Sequence, residues 1–372
     1  MFDKLKIENF RIFKSFSITG LKRVNILTGI NNVGKTTFLE SLWILQAPTR
    51  ADMVVRANSF RGFYGVSASH PLNEMFFDFQ DKERVMFECH TSQGEIMALQ
   101  MRLVPREIEV STIKTNHSRV EESTFTSNGR LKEEIGLEER SLTATSPTKF
   151  DLEVTYWKDS EEPKKVFLRI EGDKAKIDSK PHGLPQAVFV HATSIGSSKE
   201  ISQWVGNLKI TKKEDKLINL LKIVEPNLKD LDIIPIGGIT EIFGDIGLSY
   251  KIPLNLMGSG IKRLLYILSA IASSTDGTVM IDEIENGFHY STLTKVWEAI
   301  ESFSREYNVQ IFVATHSDEA IRAAYEAFSQ EMYNEEDFVS FFRFSKKGTE
   351  TNCFSLSLQE LGVALKRGLE VR

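Results

Sequence analysis

Two short motifs that lie far apart in the chain constrain its fold more than any other feature. Residues 29–36 read GINNVGKT, and residues 278–283 read TVMIDE. The first has the spacing of a phosphate-binding loop, and the second is an apolar strand that ends in two carboxylates. Lys35 and Asp282 are 247 positions apart (282 − 35). One nucleotide site must therefore be assembled from both ends of the chain, which excludes a small Ras-like or kinase-like P-loop domain.

The loop itself suits phosphate binding. Gly29 and Gly34 let the backbone turn with its N–H groups directed inward, toward anionic oxygens. Lys35 supplies a positive charge for the β- and γ-phosphates of ATP, and the Thr36 hydroxyl can bind Mg²⁺. A strand pattern precedes the loop at 21–29, and an apolar repeat with helical spacing follows it. The residues expected to hold the nucleotide are Asn31, Asn32, Gly34, Lys35, Thr36 and Thr37.

Polar side chains at two strand ends are the candidates for catalysis. Asp282 is expected to hold Mg²⁺ or its water, and Glu283 to orient or deprotonate the attacking water. Another buried-strand pattern, VQIFVATHS, spans 309–317 and ends at His316. A histidine at a strand end is often only a structural hydrogen-bonding group. Its place after a further strand of the same parallel sheet favours a γ-phosphate sensor.

Composition is that of an ordinary soluble protein. The chain has 372 residues with 41% hydrophobic content, enough for one large domain or two to three small ones. Its two cysteines, Cys89 and Cys353, have no metal-ligand spacing and form no disulfide framework, which favours the reducing cytoplasm. The longest apolar stretch, around Leu264–Ala272, is too short to span a bilayer. The net charge of −5 argues against a general nucleic-acid binder, although a local basic patch stays compatible with it.

The strand, helix and polar-loop patterns along the sequence predict an α/β fold in five segments. Residues 1–110 form a first lobe with the phosphate loop, 111–147 a polar excursion, and 148–194 the returning strands of an antiparallel, β-rich lobe. Residues 195–235 are expected to form a helical arm. Residues 236–372 are expected to form a second lobe with a parallel sheet flanked by helices. The arm carries a cationic surface of Lys209, Lys212, Lys213, Lys216 and Lys222, for which DNA or partner contact and a solvated helix face both stay open.

Capping and turn residues within the second lobe predict two helix starts and one hairpin. Ser291 is a candidate N-cap for a helix with an apolar face, and Ser317 with Asp318 can cap the next one. A hairpin is predicted near the end of the chain, turning at Lys347-Gly348.

The motifs taken together resemble those of the AAA15 group of ABC-type ATPases, relatives of the heads of OLD-family, RecF and SMC proteins. They are NFRIF near the start, GINNVGKTTFLE, PLNLMGSGIKRLL (253–265), IDEIENGFHYS (281–291), ATHSDEA and GLEVR. The resemblance implies an ABC/SMC-like head that uses ATP and Mg²⁺ and forms a homodimer or a higher homo-oligomer. ATP would lie between one subunit's phosphate loop and Ser259 and Gly260 of the other subunit's MGSGIKR segment.

The same resemblance implies two further site residues. Arg11 matches an early arginine that reaches the nucleotide in SMC-type heads, and a surface salt bridge is the alternative. A glutamine should bridge the metal and the second lobe, with Gln46 and Gln80 as candidates.

The resemblance also implies a partner. Only 56 residues follow His316 (372 − 316), too few for the Toprim nuclease domain of OLD proteins. Free-standing ATPases of this kind are similar to components of two-gene bacterial anti-phage or toxin–antitoxin-like systems. We therefore expect a switch or sensor that regulates a separately encoded nuclease or toxin, without a membrane partner. The alternatives are a RecF-like DNA-repair ATPase that binds duplex DNA and, third, a transporter ATPase subunit.

Overall fold

The computed structural model describes residues 1–47, 50, 52–61, 72–105, 150–171, 174–177, 187–192, 196–329 and 338–371. Its strands are β1 (Phe2–Phe10), β2 (Phe13–Thr19), β3 (Val24–Thr28), β4 (Val85–Thr91), β5 (Ile96–Pro105), β6 (Phe150–Lys158), β7 (Lys164–Glu171), β8 (Lys174–Ile177), β9 (Ala187–Val190), β10 (Asp230–Ile236), β11 (Ile239–Asp245), β12 (Ile252–Pro253), β13 (Thr278–Ile281), β14 (Gln310–Ala314), β15 (Val339–Lys347) and β16 (Glu350–Leu356). Its helices are α1 (Lys35–Leu45), α2 (Asp52–Ser59), α3 (Ser198–Ile210), α4 (Glu214–Leu221), α5 (Ser259–Ser273), α6 (Leu293–Glu306), α7 (Asp318–Phe328) and α8 (Leu358–Lys366).

An antiparallel sheet forms the first layer. Within the described ranges its strand order is β2-β1-β4-β5-β6-β7-β8. Strand β2 alternates between buried and exposed positions, as expected for a sheet that is covered on one face. A hairpin that turns at Gln93-Gly94 joins β4 to β5, with His90 opposite Ile96. The antiparallel first lobe is thus confirmed, while the predicted excursion at 111–147 lies outside the described residues.

A mixed sheet forms the centre of the molecule. Its order is β16-β15-β3-β14-β13-β9 in the part of the chain that the structure describes, and all neighbours are parallel except the hairpin of β15 and β16. Every residue of β3, β13 and β14 is buried, because helices and the first sheet cover both faces. The predicted α/β fold and the predicted hairpin at Lys347-Gly348 are therefore confirmed.

Alternate side chains of the central strands fill two separate cores. Val279 and Ile281 of β13 pack with α3 to α7 on one face. Met280, between them, packs on the other face with α1 and the antiparallel sheet. This period of two residues is what a strand buried on both faces produces.

One buried amide joins the two large sheets. The side chain of Gln310, at the start of β14, accepts a hydrogen bond from Phe2 N at 2.7 Å. Its Nε2 group donates to Phe2 O and to Lys22 O, each at 2.8 Å. Three main-chain groups that would otherwise be buried without a partner are thereby satisfied. The start of β1 is held against the first residue of β14.

The division into consecutive lobes needs correction. Strand β3, which was assigned to the first lobe, lies in the central sheet between β14 and β15. Strand β9, assigned to the returning strands of the first lobe, is also part of the central sheet and pairs with β13. The layers therefore interleave along the sequence, because parallel neighbours need long crossover connections.

The predicted helical arm at 195–235 is wrong at its end. Helices α3 and α4 are present, but residues 230–236 form β10 and pair antiparallel with β11. Pro226 prevents the helix from continuing, and Ile233 and Ile234 then favour a strand. The two helices pack against α5 as part of the main core rather than projecting as an arm.

The cationic surface of these helices is also weaker than predicted. Lys209 lies 3.3 Å from Asp230, and Lys216 lies 2.5 Å from a carboxylate oxygen of Glu306. Lys213 lies 4.0 Å from the same carboxylate and 4.9 Å from the ring centroid of Tyr307. Three of the five lysines therefore have carboxylate partners in the same chain.

Of the two predicted helix caps, one is confirmed. The Ser317 hydroxyl accepts a hydrogen bond from Ala320 N at 3.1 Å at the start of α7. Ser291, in contrast, lies within a short 3₁₀ turn, and the residue that precedes α6 is Thr292. His289 caps this 3₁₀ turn rather than α6, since its ring accepts a hydrogen bond from Ser291 N. Among the described residues, no helix is both long enough and apolar enough to cross a membrane.

Candidate functional site

The phosphate loop connects β3 to α1 and leaves the start of the helix open. Gly34 precedes Lys35, the first helical residue, with φ 107°, and none of the described side chains caps the helix N-terminus. A side chain at position 34 would come within 2.6 Å of the Phe13 ring. The amide groups of the first turn are therefore available to an anion, as in other helix N-termini that bind phosphate.

Lys35 lies inside the loop. Its Nζ group donates hydrogen bonds to the carbonyls of Gly29 and Ile30, the latter at 2.9 Å. Burial lowers the pKa of Lys35, and the charges of Asp282, Glu285 and Glu283 oppose this shift. Lys35 therefore lies close enough to the acidic residues that follow β13 for their charges to act on it.

The two distant motifs meet through Thr36 and Asp282. The Thr36 hydroxyl donates to the Asp282 carboxylate, 3.0 Å from one oxygen and 3.3 Å from the other. Strand β14 separates β3 from β13, yet both loops lie at the same edge of the sheet because all three strands are parallel. Burial raises the pKa of Asp282 to about 6, against the opposing effect of the Thr36 hydrogen bond. The structure thus places both predicted metal ligands side by side.

The next residue, Glu283, lies in a turn with a left-handed backbone (φ 49°). Its carboxylate accepts a hydrogen bond from Asn286 Nδ2 at 2.8 Å. His316 Nδ1 is 3.8 Å from Glu283 Oε1 and 3.2 Å from Glu285 Oε1. The Thr315 hydroxyl also donates to Glu285, at 2.8 Å. The ends of β13 and β14 therefore bring the predicted base and the predicted sensor to one acidic turn.

Arg263 is a site residue that the sequence analysis missed. It lies on α5, is 3% exposed, and donates to His191 O at 2.6 Å and to Asp282 O at 2.8 Å. Burial lowers its pKa, and the charge of Asp282 opposes that change. The guanidinium thus ties together the ends of β9 and β13. A charged residue directly before Leu264 and Leu265 on an apolar helix was the available signal.

His191 was missed as well. It follows β9, whose last residue, Val190, is opposite Ile281 of β13. Its ring stacks on Phe60 with centroids 5.1 Å apart and is largely buried. Burial lowers the pKa of His191, while the charge of Glu40 acts in the opposite direction. A polar residue at the end of the AVFV strand was the only sequence signal.

Arg11 does not form the surface salt bridge that was the alternative to nucleotide contact. Its guanidinium is buried, with Nε 2.9 Å from Glu40 Oε2 and Nη2 2.9 Å from Asn58 Oδ1. Burial lowers the pKa of Arg11 to about 10, partly offset by the charge of Glu40. Direct contact between Arg11 and a nucleotide stays a prediction.

Of the two candidates for the bridging glutamine, Gln46 lies away from the Thr36–Asp282 pair. Gln46 ends α1 and donates to Leu42 O. It is eleven residues beyond Lys35 (46 − 35), or about 16 Å along the helix axis. Gln80 donates to the exposed Asp78 carboxylate. The sequence alone could not exclude Gln46, because it does not show that the N-terminal end of α1 faces the site while Gln46 lies at the other end.

Among the described residues, no side chain caps the start of α5 either. Ser259 is its first residue and is exposed, and Gly258 before it has φ 101°. Gly260 packs tightly, since an added Cβ would lie 2.9 Å from Gly287 O and from a Val224 methyl group. Among the described residues, the Ser259 hydroxyl and the amide groups of the first turn of α5 therefore have no capping partner, and they lie on a tightly packed turn. The remaining predicted contacts, Asn31 and Asn32, are exposed in the loop, and Thr37 is buried behind it.

A protein-family profile described as "AAA domain, putative AbiEii toxin, Type IV TA system" (AAA_21) matches residues 24–322. The chain belongs to the AAA_21 family. The matched region contains the phosphate loop, Asp282, Glu283 and His316, and the predicted ATPase activity is thereby confirmed. Membership of the AAA15 subgroup stays a prediction.

Known proteins resemble this AAA_21 chain along most of its length. A Helicobacter pylori (strain ATCC 700392 / 26695) protein named "ATP/GTP phosphatase" is 25% identical over 342 residues, which cover 86% of each chain. An Smc head bound to the C-winged helix domain of ScpA is 12% identical, with a TM-score of 0.49 over 96% of this chain and 98% of that one. The Pyrococcus furiosus Smc head domain is 11% identical, with a TM-score of 0.47 over 98% of each.

The raised pKa of Asp282 predicts a pH-dependent stability difference. Its pKa rises from 3.8 to about 6 on folding, so the folded state binds more protons and loses stability as pH rises through this range. Asp282→Asn should therefore raise the Tm of the metal- and nucleotide-free protein at pH 7.5, with a net gain of about 2 kcal/mol. The difference in Tm between Asp282→Asn and the wild type should become smaller as the pH is lowered toward 4.5. A Tm difference that does not change with pH would contradict the assignment.

Proposed function

We propose that this AAA_21 ATPase binds Mg-ATP between the phosphate loop and the end of β13. The contact of 3.0 Å between Thr36 Oγ1 and Asp282 is the observation that carries the proposal, because it offers Mg²⁺ two adjacent oxygen ligands. The remaining ligands of an octahedral ion would be phosphate and water oxygens. When bound, Mg²⁺ supplies positive charge that stabilises the phosphates during transfer. The uncapped start of α1 and Lys35 fit the anionic side of the nucleotide.

Glu283 is the proposed general base. Its partly exposed carboxylate lies one residue beyond Asp282, and Asn286 orients it through a hydrogen bond. His316 shares the same acidic turn and would report the terminal phosphate. Arg263 supports both roles, since its hydrogen bond fixes the main chain at the end of β13.

Two substitutions separate binding from chemistry. Lys35→Ala should abolish ATP binding, because the loop loses its positive side chain. Glu283→Gln should retain binding but lower kcat by about 10²–10⁴-fold, the usual contribution of a positioned base. Isothermal titration and a phosphate-release assay measure the two effects. Unchanged turnover in Glu283→Gln would refute the role of Glu283.

A homodimer closed around ATP is the second element of the proposal. The uncapped N-terminus of α5 and the exposed Ser259 are suited to an anion. A Cβ added at Gly287 would lie 3.6 Å from Ser259, so this turn packs against the start of α5. The phosphate that Ser259 would bind belongs, in this proposal, to the site of the other subunit, as in the ABC-type heads that the motifs resemble.

Mixing two inactive variants tests this composite site. Lys35→Ala and Ser259→Arg should each lack ATPase activity alone. An equimolar mixture should recover part of it, because a mixed dimer can form one intact site. Two copies of the same variant at the same total concentration provide the control. No recovery, in variants shown to exchange subunits, would count against a role of Ser259 in trans.

The third element is a partner protein. The family description names a type IV toxin–antitoxin system, which supports a switch that acts on a separately encoded nuclease or toxin in the cytoplasm. Anti-phage defence is the setting we favour. The lysines that supported a DNA-binding alternative are mostly paired with Asp230 and Glu306. A switch needs only that the partner prefer one nucleotide state, with a coupling free energy of about 1–3 kcal/mol.

The partner proposal is tested with the protein encoded by the adjacent gene. Its affinity for the ATP-loaded Glu283→Gln protein and for Lys35→Ala should differ about 5- to 150-fold, measured by titration. The purified ATPase should cleave neither DNA nor RNA alone. Equal affinities, or a nuclease activity intrinsic to this chain, would exclude a switch of this kind.

A further inference from the structure

Arg61 lies beside the phosphate loop, although neither the loop motif nor the acidic motif includes it. It follows α2, and its Nε and Nη2 groups donate to the two oxygens of Glu40 at 2.8 and 2.9 Å. Nη2 is also 3.2 Å from the Thr37 hydroxyl. Thr37 directly follows the proposed metal ligand Thr36, so the guanidinium reaches the first turn of α1.

Glu40 does not need Arg61 for neutralisation. Its carboxylate is fully buried and also lies 2.9 Å from Arg11 Nε. The two arginines differ in environment, since the side chain of Arg11 is 5% exposed and that of Arg61 is 34% exposed. A further carboxylate, Glu74, is on the Arg11 side, where Asn58 connects the two. The local excess of positive charge therefore lies with Arg61.

The charge of Arg61 lies close enough to Asp282 at the nucleotide site for the two groups to interact. Burial lowers its pKa, but the hydrogen bond and charge of Glu40, together with the charge of Asp282, raise it overall. The bidentate hydrogen bonds from Arg61 to the Glu40 carboxylate use the Nε and Nη2 groups. Among the described residues, Nη1 has no hydrogen-bond partner, so two N–H donors stay available on a side chain whose orientation is already fixed.

We propose that Arg61 is a nucleotide-contacting residue whose Nη1 group donates to the phosphate chain while Glu40 holds the rest of the guanidinium. Arginine suits this task because its planar donors match phosphate oxygens. Arg11 contributes indirectly by neutralising Glu40, which leaves the charge of Arg61 uncancelled. The inference rests on the proposed ATP site and adds a cation that the loop motif does not contain.

The test compares nucleotide affinities of four proteins by isothermal titration. Arg61→Ala should weaken ATP binding about 10- to 100-fold, as expected for the loss of a charged hydrogen bond. Arg61→Lys should lie between this variant and the wild type. Arg56→Ala removes an exposed arginine from the neighbouring helix α2, where it pairs with Asp52, and should stay within twofold of the wild type.

ADP provides the second arm of the titration. A loss for ATP alone places the contact at the terminal phosphate, and a loss for both nucleotides places it at the phosphates they share. Each result supports the inference. Wild-type binding that Lys35→Ala does not reduce would overturn the proposed ATP site itself, independently of Arg61.

A purely structural role of Arg61 gives a different pattern. It predicts a lower Tm for Arg61→Ala without nucleotide and an affinity of the folded protein within twofold of the wild type. That outcome would overturn the inference. Should Arg61→Ala fail to fold, Arg61→Gln keeps a donor for Glu40 and removes the charge, and the same comparison of Tm with ATP affinity then decides.

Discussion

The hydrogen bond between Thr36 and Asp282 depends on an arrangement that the whole molecule maintains. These residues follow β3 and β13, which are held at a fixed distance by β14 between them. Three fully buried parallel strands need cover on both faces. Helices α3 to α7 cover one face, and α1 with the antiparallel sheet covers the other. The site is thus a property of a layered fold rather than of either motif.

Features with a local cause were predictable. Glycine spacing identified the phosphate loop, and strand patterns identified the antiparallel, β-rich first lobe. The hairpin at Lys347-Gly348 and the Ser317 cap follow from turn and capping chemistry that involves neighbouring residues only. The meeting of Thr36 with Asp282 was also foreseeable, because strand ends in a parallel sheet share one edge.

Features that depend on distant residues were not predictable from the sequence pattern. Arg263 acquires its role from two carbonyls that belong to different strands. Arg61 and Arg11 meet on Glu40 only after α1, α2 and the turn between β1 and β2 have packed. The five lysines appeared to form one cationic face because Asp230 and Glu306, the partners of three of them, lie on other elements. Sequence periodicity identifies faces, but it does not identify what covers them.

The position of β3 has a consequence for how the protein is made. Strand β3 is complete at residue 28, yet its neighbours β14 and β15 begin at residues 310 and 339. At about 5–20 residues per second, a ribosome needs roughly 15–60 s to supply them. During this interval both edges of an apolar strand lack their final partners, whereas most of the antiparallel sheet can already pair. The nascent chain therefore carries its phosphate loop on an unfinished sheet, and the complete nucleotide site can form only after β14 and β15 have been synthesised.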